Sequence, residues 1–252
     1  MIPYSGDMEV ILRSLDELKL VMGLVSEREG RHDGEQKAVL IGGWAVDAYN
    51  SWYGSIDIDI VTNRWTKKYL IYHLINDQGY VHYKEHGAST VARILPSGKK
   101  IIIDFAAIGD SHGSNFEGRK EELNFDLLEG RTVVKNIRDS VTIRVPDRSL
   151  LLLYKIKASW DRKYRLDNRR SEDPEWEKGK LFKDYGDIHA LVDPNYGGRE
   201  LDLNYLGETL ASLKFLKAHI DQIPDDIDAL NNYGRMDTDI ARSIYDRLLS
   251  LI

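Results

Sequence analysis

The stretch that decides the reading is Ala38-Val39-Leu40-Ile41-Gly42-Gly43-Trp44-Ala45-Val46-Asp47, followed by Ser55-Ile56-Asp57-Ile58-Asp59-Ile60-Val61. Ala38 to Ile41 is a short apolar strand. It runs into two glycines, and a helix is expected from near Trp44. Ser55 to Val61 alternates isoleucine with aspartate, so it reads as a strand with one apolar and one acidic face. Asp57 and Asp59, two apart, project from the same side of that strand. The isoleucines turn the other way, into a core.

Working outward, Asp104 sits within Ile101-Ile102-Ile103-Asp104-Phe105, an apolar strand where a carboxylate is costly unless it is paired or bound to a cation. Three acids on neighbouring strands make an anionic pocket of hard oxygen ligands. Phosphoryl and nucleotidyl transfer need a site of this kind, because two cations about 4 Å apart activate the attacking hydroxyl and stabilise the leaving pyrophosphate. Gly42 and Gly43 suit the other half of that task. Lacking Cβ atoms, they let backbone close on a triphosphate, and a following helix presents free N–H groups to an anion. Either part alone has a plain structural reading, as a tight turn or a solvated acidic face. The run is not an EF-hand loop, since Val61 and Thr62 stand where an oxygen ligand and a glycine are required.

The rest of the chain supplies the frame. Residues 7 to 25 carry Ile11, Leu15, Leu18, Met22 and Val25 at spacings of four, three, four and three, one apolar face of a helix, and Ser26 to Gln36 is expected as a loop. Trp65 to Asn76 reads as helix. Tyr80 to Lys84, Ser89 to Leu95 and Lys100 to Ile108 read as strands separated by Gly87 and by Pro96-Ser97-Gly98. Gly109 to Lys120 is expected as a loop, and Val133 to Val145 as a β pair turning around Asn136 to Asp139. Beyond Pro146 the periodicity becomes helical over 147 to 164, 176 to 192, 205 to 220 and 236 to 251, with Pro146 and Pro174 near helix starts. The expected organisation is an α/β domain with a mixed sheet, an α+β arrangement, over residues 1 to 147. A helical domain over 148 to 252 closes over nucleotide and acceptor.

The order hydrophobic-Gly-Gly, thirteen residues, Asp57-Ile58-Asp59-Ile60 and a later strand aspartate resembles the signature of the DNA polymerase beta type nucleotidyltransferase superfamily. The wording Gly-Gly-Trp-Ala-Val-Asp at 42 to 47 is also similar to the start of aminoglycoside and lincosamide nucleotidyltransferases. The resemblance covers about 70 residues. It implies that Asp57 and Asp59 bind two metal ions and that Asp104 helps bind one and receives or orients the acceptor proton. It implies further that Gly42 and Gly43 hold a nucleoside triphosphate, with Mg²⁺ as cofactor. In the helical half, Lys155 and Ala158 with Arg162, then Lys183-Asp184 and Asp187, resemble patterns of AbiEii-type nucleotidyltransferase toxins, with Lys183 replacing the usual arginine. That resemblance implies nucleotide binding by Lys155, Lys183 and Asp187, and a cognate antitoxin as a partner. An interhelical salt bridge between Lys155 and Asp187 is the alternative reading.

Composition narrows the possibilities. With 42% hydrophobic and 30% charged residues the chain is globular and long enough for two modest cores. No apolar run approaches the roughly 20 residues a bilayer span needs, and no secretory leader is legible, so a cytoplasmic protein without membrane contact is expected. The absence of cysteine excludes disulfides, zinc-thiolate sites and thiol nucleophiles. The net charge of −6 argues against a surface that coats nucleic acid, but residues 155 to 170 hold seven Lys or Arg against two acids, interleaved with Trp160 and Tyr164. Such a stretch binds phosphates and stacks on bases, or is a solvated helix end. It inclines the acceptor towards an RNA 3′ end, with a small molecule such as an antibiotic, or a protein side chain, left open. A binding module that kept the fold without turnover is the rival class, and retention of three acids speaks against it. His82 and His86, four apart on a strand, lack the glutamate of a zincin motif.

Overall fold

The computed structural model describes residues 8–32, 37–83, 89–109, 113–116 and 119–251. They form two compact units. Among the described residues, one contains 8–109 together with 124–146; the other contains 113–123 and 147–251.

The first unit is built on a mixed seven-stranded sheet. Its strands are β1 (Val39–Ile41), β2 (Asp57–Thr62), β3 (Val81–His82), β4 (Thr90–Ile94), β5 (Lys100–Ala107), β8 (Thr132–Ile137) and β9 (Val141–Pro146). Their spatial order is β3-β4-β5-β2-β1-β9-β8. β2 runs parallel to β5 and antiparallel to β1, and β1 runs parallel to β9. The alternation read from the sequence is realised at the centre. Ile58, Ile60, Ile101 and Ile103 are fully buried, whereas Asp57, Asp59, Ile102 and Asp104 lie on the opposite face and are half-buried. Removing each such isoleucine from water contributes about 1.5–3 kcal/mol, which fixes the strand register and with it the carboxylate face.

Three helices belong to this unit: α1 (Met8–Arg31), α2 (Gly42–Asp47) and α3 (Arg64–Gln78). α1 buries Ile11, Leu15, Leu18, Met22 and Val25, the face its spacing dictates. It continues six residues past Val25, through part of the segment expected as loop. That run is polar but contains no proline, and Glu27 and Arg31 pair one turn apart at 2.6 Å. Polarity marked an exposed helix end there, not a break. α3 begins under an Asn63 cap that accepts from Trp65 and Thr66 N–H and ends at Gly79 in the left-handed region.

The second unit contains the hairpin β6 (Gly113–Phe116) and β7 (Arg119–Glu122) and six helices. The hairpin replaces part of the loop expected over 109 to 120. The helices are α4 (Arg148–Asp167), α5 (Pro174–Val192), α6 (Leu203–Ser212), α7 (Lys217–Gln222), α8 (Ile227–Tyr233) and α9 (Thr238–Leu249). Asp147 and Asp173 cap α4 and α5. The single helix expected over 205 to 220 is two, broken by a tight turn at Lys214–Leu216. α8, seven residues between an Asp226 cap and Gly234 in the left-handed region, is too short for its period to show in the sequence. No helix among the described residues is long and apolar enough to cross a membrane.

Candidate active site

The acidic face comes from strand register. Asp59 stands directly opposite Asp104 across the parallel β2–β5 pair, Asp57 precedes Asp59 by two residues on the same face, and Asp59 is also paired with Ile41, the last residue of β1. Three carboxylates and the entrance to Gly42 are thereby set on adjoining strands. Thr90, opposite Asp104 on β4, donates its hydroxyl to Asp104 Oδ1 in a very short hydrogen bond. Ser55 Oγ accepts from the Asp57 N–H at 3.3 Å and steadies the start of β2. Neither hydroxyl could be assigned from sequence, because each acts through a pairing or a turn that only the fold defines.

Gly42 meets this face at the closest possible range. Its φ is +71°, and a Cβ added there would lie 1.9 Å from Asp59 Oδ2. Both the left-handed backbone and the contact exclude any side chain, so the turn carries backbone, not side chain, up to the carboxylate. The helix that follows is only six residues long and starts at Gly42 itself, slightly earlier than expected. The turn therefore offers backbone proximity more than a strong helix dipole.

The donor set fits Mg²⁺: hard carboxylate oxygens, half-buried, in register on adjacent strands. Among the described residues no three Asp, Glu or His side chains form a ready-made cage for a metal ion. Mg²⁺ does not require one, since it characteristically uses one or two carboxylates and completes its octahedron with water and substrate phosphate. His82 is an exposed residue ending the two-residue β3, and His86 lies outside the described residues.

In the second unit, Lys155, Lys183 and Asp187 meet in one buried network. Lys155 Nζ lies 2.9 Å from Asp184 and 2.7 Å from Asp187, and Lys183 Nζ lies 2.9 Å from Asp187. Arg162 Nε bonds the far oxygen of Asp184 at 2.9 Å. Burial works against the charge on Lys155, yet Asp184 and Asp187 outweigh it and hold the ammonium above the usual lysine range. Burial likewise opposes the Asp184 carboxylate, and Lys155 and Arg162 overcome it to keep that group well below its usual range. Lys183 is pushed down, by burial first and by the neighbouring Lys155 charge, against the pull of Asp187.

The basic stretch of α4 is not a free cationic surface. Besides Lys155 and Arg162, Lys157 pairs with Asp161 at 2.6 Å, Lys163 with Asp167 at 2.9 Å and Arg165 with Glu177 at 2.5 Å. Trp160 is buried against Phe215 and stacked on Tyr164, their centroids 5.3 Å apart, so its ring is part of the core and is not a platform for a base. The acids that neutralise the stretch lie one turn along the same helix or on α5, a helical spacing that a tally of charges over 155 to 170 does not resolve.

No family model and no curated protein matches the chain. Among solved structures it is similar to the lincosamide antibiotic adenylyltransferase LnuA, determined with lincomycin bound. The identity is 19%, the match covers 71% of this chain and 96% of that one, and the TM-score is 0.40.

Proposed function

We propose that this chain is a metal-dependent nucleotidyltransferase that moves the nucleotidyl group of a nucleoside triphosphate onto an acceptor hydroxyl. The observation that carries the reading is the register of Asp59 against Asp104, with Asp57 on the same face and Gly42 pressed against the Asp59 carboxylate. Asp57, Asp59 and Asp104 are the residues that would hold Mg²⁺, which supplies positive charge to the phosphates and lowers the barrier to in-line displacement. Asp104, which accepts a hydrogen bond from Thr90, would orient the acceptor hydroxyl and take its proton. The Gly42–Gly43 turn would hold the triphosphate through its backbone N–H groups. The nucleotide contacts that the resemblance implies for Lys155, Lys183 and Asp187 are no part of this proposal, because these side chains are buried and bonded to one another and to Asp184, the interhelical Lys155–Asp187 salt bridge among them.

For the acceptor, the pairing of the α4 cations speaks against the RNA 3′ end towards which the sequence inclines, and we propose a small-molecule hydroxyl in its place. The argument for RNA was the basic run of α4, and Lys155, Lys157, Arg162, Lys163 and Arg165 are all bonded to carboxylates. Cations so neutralised release few counterions on binding a phosphate backbone. The test is incubation with each labelled nucleoside triphosphate and Mg²⁺, against total RNA and a panel of hydroxylated antibiotics including aminoglycosides and lincosamides. Label is expected on a small molecule, and Asp59→Asn is expected to lower transfer by at least about a thousandfold while leaving the circular dichroism spectrum unchanged. Label on RNA alone would overturn the acceptor assignment. Wild-type turnover by Asp59→Asn would overturn the catalytic one.

A further inference from the structure

We infer that Arg138, in the turn between β8 and β9, is a positioning residue that holds the Gly42–Gly43 turn in place by clamping the far end of α2; the inference rests on the nucleotidyltransferase reading of that turn. α2 spans six residues, so whatever fixes its last residue also fixes its first. That last residue, Asp47, has a fully buried side chain. Its carboxylate takes a two-point contact from Arg138, Nε to Oδ2 and Nη2 to Oδ1, both at 2.9 Å, and a third hydrogen bond from Ser51 at 3.0 Å. Two parallel N–H···O bonds fix orientation as well as distance, which a lysine in this place could not do.

The clamp is tied into the neighbouring elements. The Arg138 guanidinium lies over the Trp44 ring, 5.3 Å from its centroid, and Trp44, fully buried in the middle of α2, donates Nε1–H to Ser14 of α1 at 3.0 Å. The loop leading to β2 passes close by at Gly54, where an added Cβ would meet Arg138 Nη2 at 3.0 Å and Ile11 at 2.8 Å. From Asp47 the helix runs back to Gly42, against the Asp59 carboxylate.

The backbone of Arg138 is set by the hairpin turn it occupies. Its φ is +47°, and that of Asp139 is +51°, in a turn that contains no glycine. Two left-handed residues closed by the bond from the Ser140 N–H to the Ile137 carbonyl are what a primed hairpin turn requires, so this conformation serves the β8–β9 connection and fixes where the guanidinium starts. Glycine or asparagine would relax this turn, and either would delete the guanidinium that reaches Asp47.

The test uses Arg138→Gly, which suits the positive φ and removes the clamp, beside Asp139→Gly, which relaxes the same turn and leaves the clamp intact. Amide hydrogen exchange is read first, because it needs no substrate. Arg138→Gly should speed exchange at residues 43 to 47 with β2 and β5 unchanged, and Asp139→Gly should not. In the transfer assay, Arg138→Gly should raise KM for the triphosphate about tenfold with kcat little changed, as expected when binding shared by ground and transition states is lost. A merely structural role would instead lower the active fraction, so kcat would fall and KM would stay. Unchanged exchange at 43 to 47 in Arg138→Gly, or a fall in kcat at constant KM, overturns the inference. Faster exchange in Arg138→Gly, with a wild-type protein that neither binds nor transfers a nucleotide, leaves the clamp standing as an anchor of α2 but overturns its role towards a triphosphate, and the nucleotidyltransferase reading with it.

Discussion

At the scale of single residues the account turns on Gly42, where conformation and contact point to the same conclusion. Replacing it with alanine imposes a left-handed Cβ, at about 1–2 kcal/mol, and drives that atom to within 1.9 Å of Asp59 Oδ2. Gly79 provides the control, because its φ is +73° and an added Cβ meets nothing within 4 Å. Both alanine variants should therefore lose stability through backbone strain, Gly42→Ala the more because of its added contact, while only Gly42→Ala also loses triphosphate binding and transfer. Urea denaturation and a transfer assay on both variants check this. Equal activity in the two would show that the Gly42 contact with Asp59 has no functional consequence. That Gly42 makes a turn was legible in the sequence, but its contact was not: the glycine reads as a permissive turn, and only the register of Ile41 against Asp59 reveals a carboxylate beneath it.

At the scale of elements, the apolar periodicities of α1, β2 and β5 were readable because each buries one continuous face. What escaped were elements defined by interruption or pairing: the break between α6 and α7, the short α8, the β6–β7 hairpin, and the pairing of the α4 cations with acids along α4 and on α5. The helical unit also contains two buried histidines that sequence left unremarked. His189 Nδ1 on α5 lies 2.9 Å from the Tyr245 hydroxyl, and His219 Nε2 on α7 lies 2.7 Å from Ser159 Oγ. Burial lowers both to about 4 from an ordinary 6.5, so each is neutral when folded and takes up a proton more readily when unfolded. Their contribution is thus present above pH 6.5 and is lost as pH falls towards 4, by roughly 3 kcal/mol each at the lower limit. The ion-paired carboxylates Asp184 and Glu177, both lowered in the fold, lose their contribution mainly below that window. Unfolding in urea followed by far-ultraviolet circular dichroism should show stability declining between pH 6.5 and 4, with a shallower slope in His189→Gln. A flat profile would mean that neither histidine is held neutral by burial.

At the scale of the whole molecule, the fold class was legible because the change from period two to helical period near Pro146 is abrupt. The candidate site was legible in its acids because a charge pattern on an apolar strand has few purposes. The supporting residues Thr90, Asp47 and Arg138 were not, since each acts through a contact far away in sequence: Thr90 with Asp104, and Asp47 with Arg138 91 positions on. On the proposed reading, a triphosphate at the acidic face depends on the cation that face can recruit. Three aspartates repel a bare polyphosphate, whereas a divalent cation turns that repulsion into attraction, so metal and nucleotide should bind together. The direct measurement is calorimetric titration of a nucleoside triphosphate into the protein, in Mg²⁺ and in excess chelator, for wild type and Asp59→Asn. The account predicts binding at least about tenfold tighter with Mg²⁺, a gain that Asp59→Asn abolishes; equal affinity in Mg²⁺ and in chelator would contradict it.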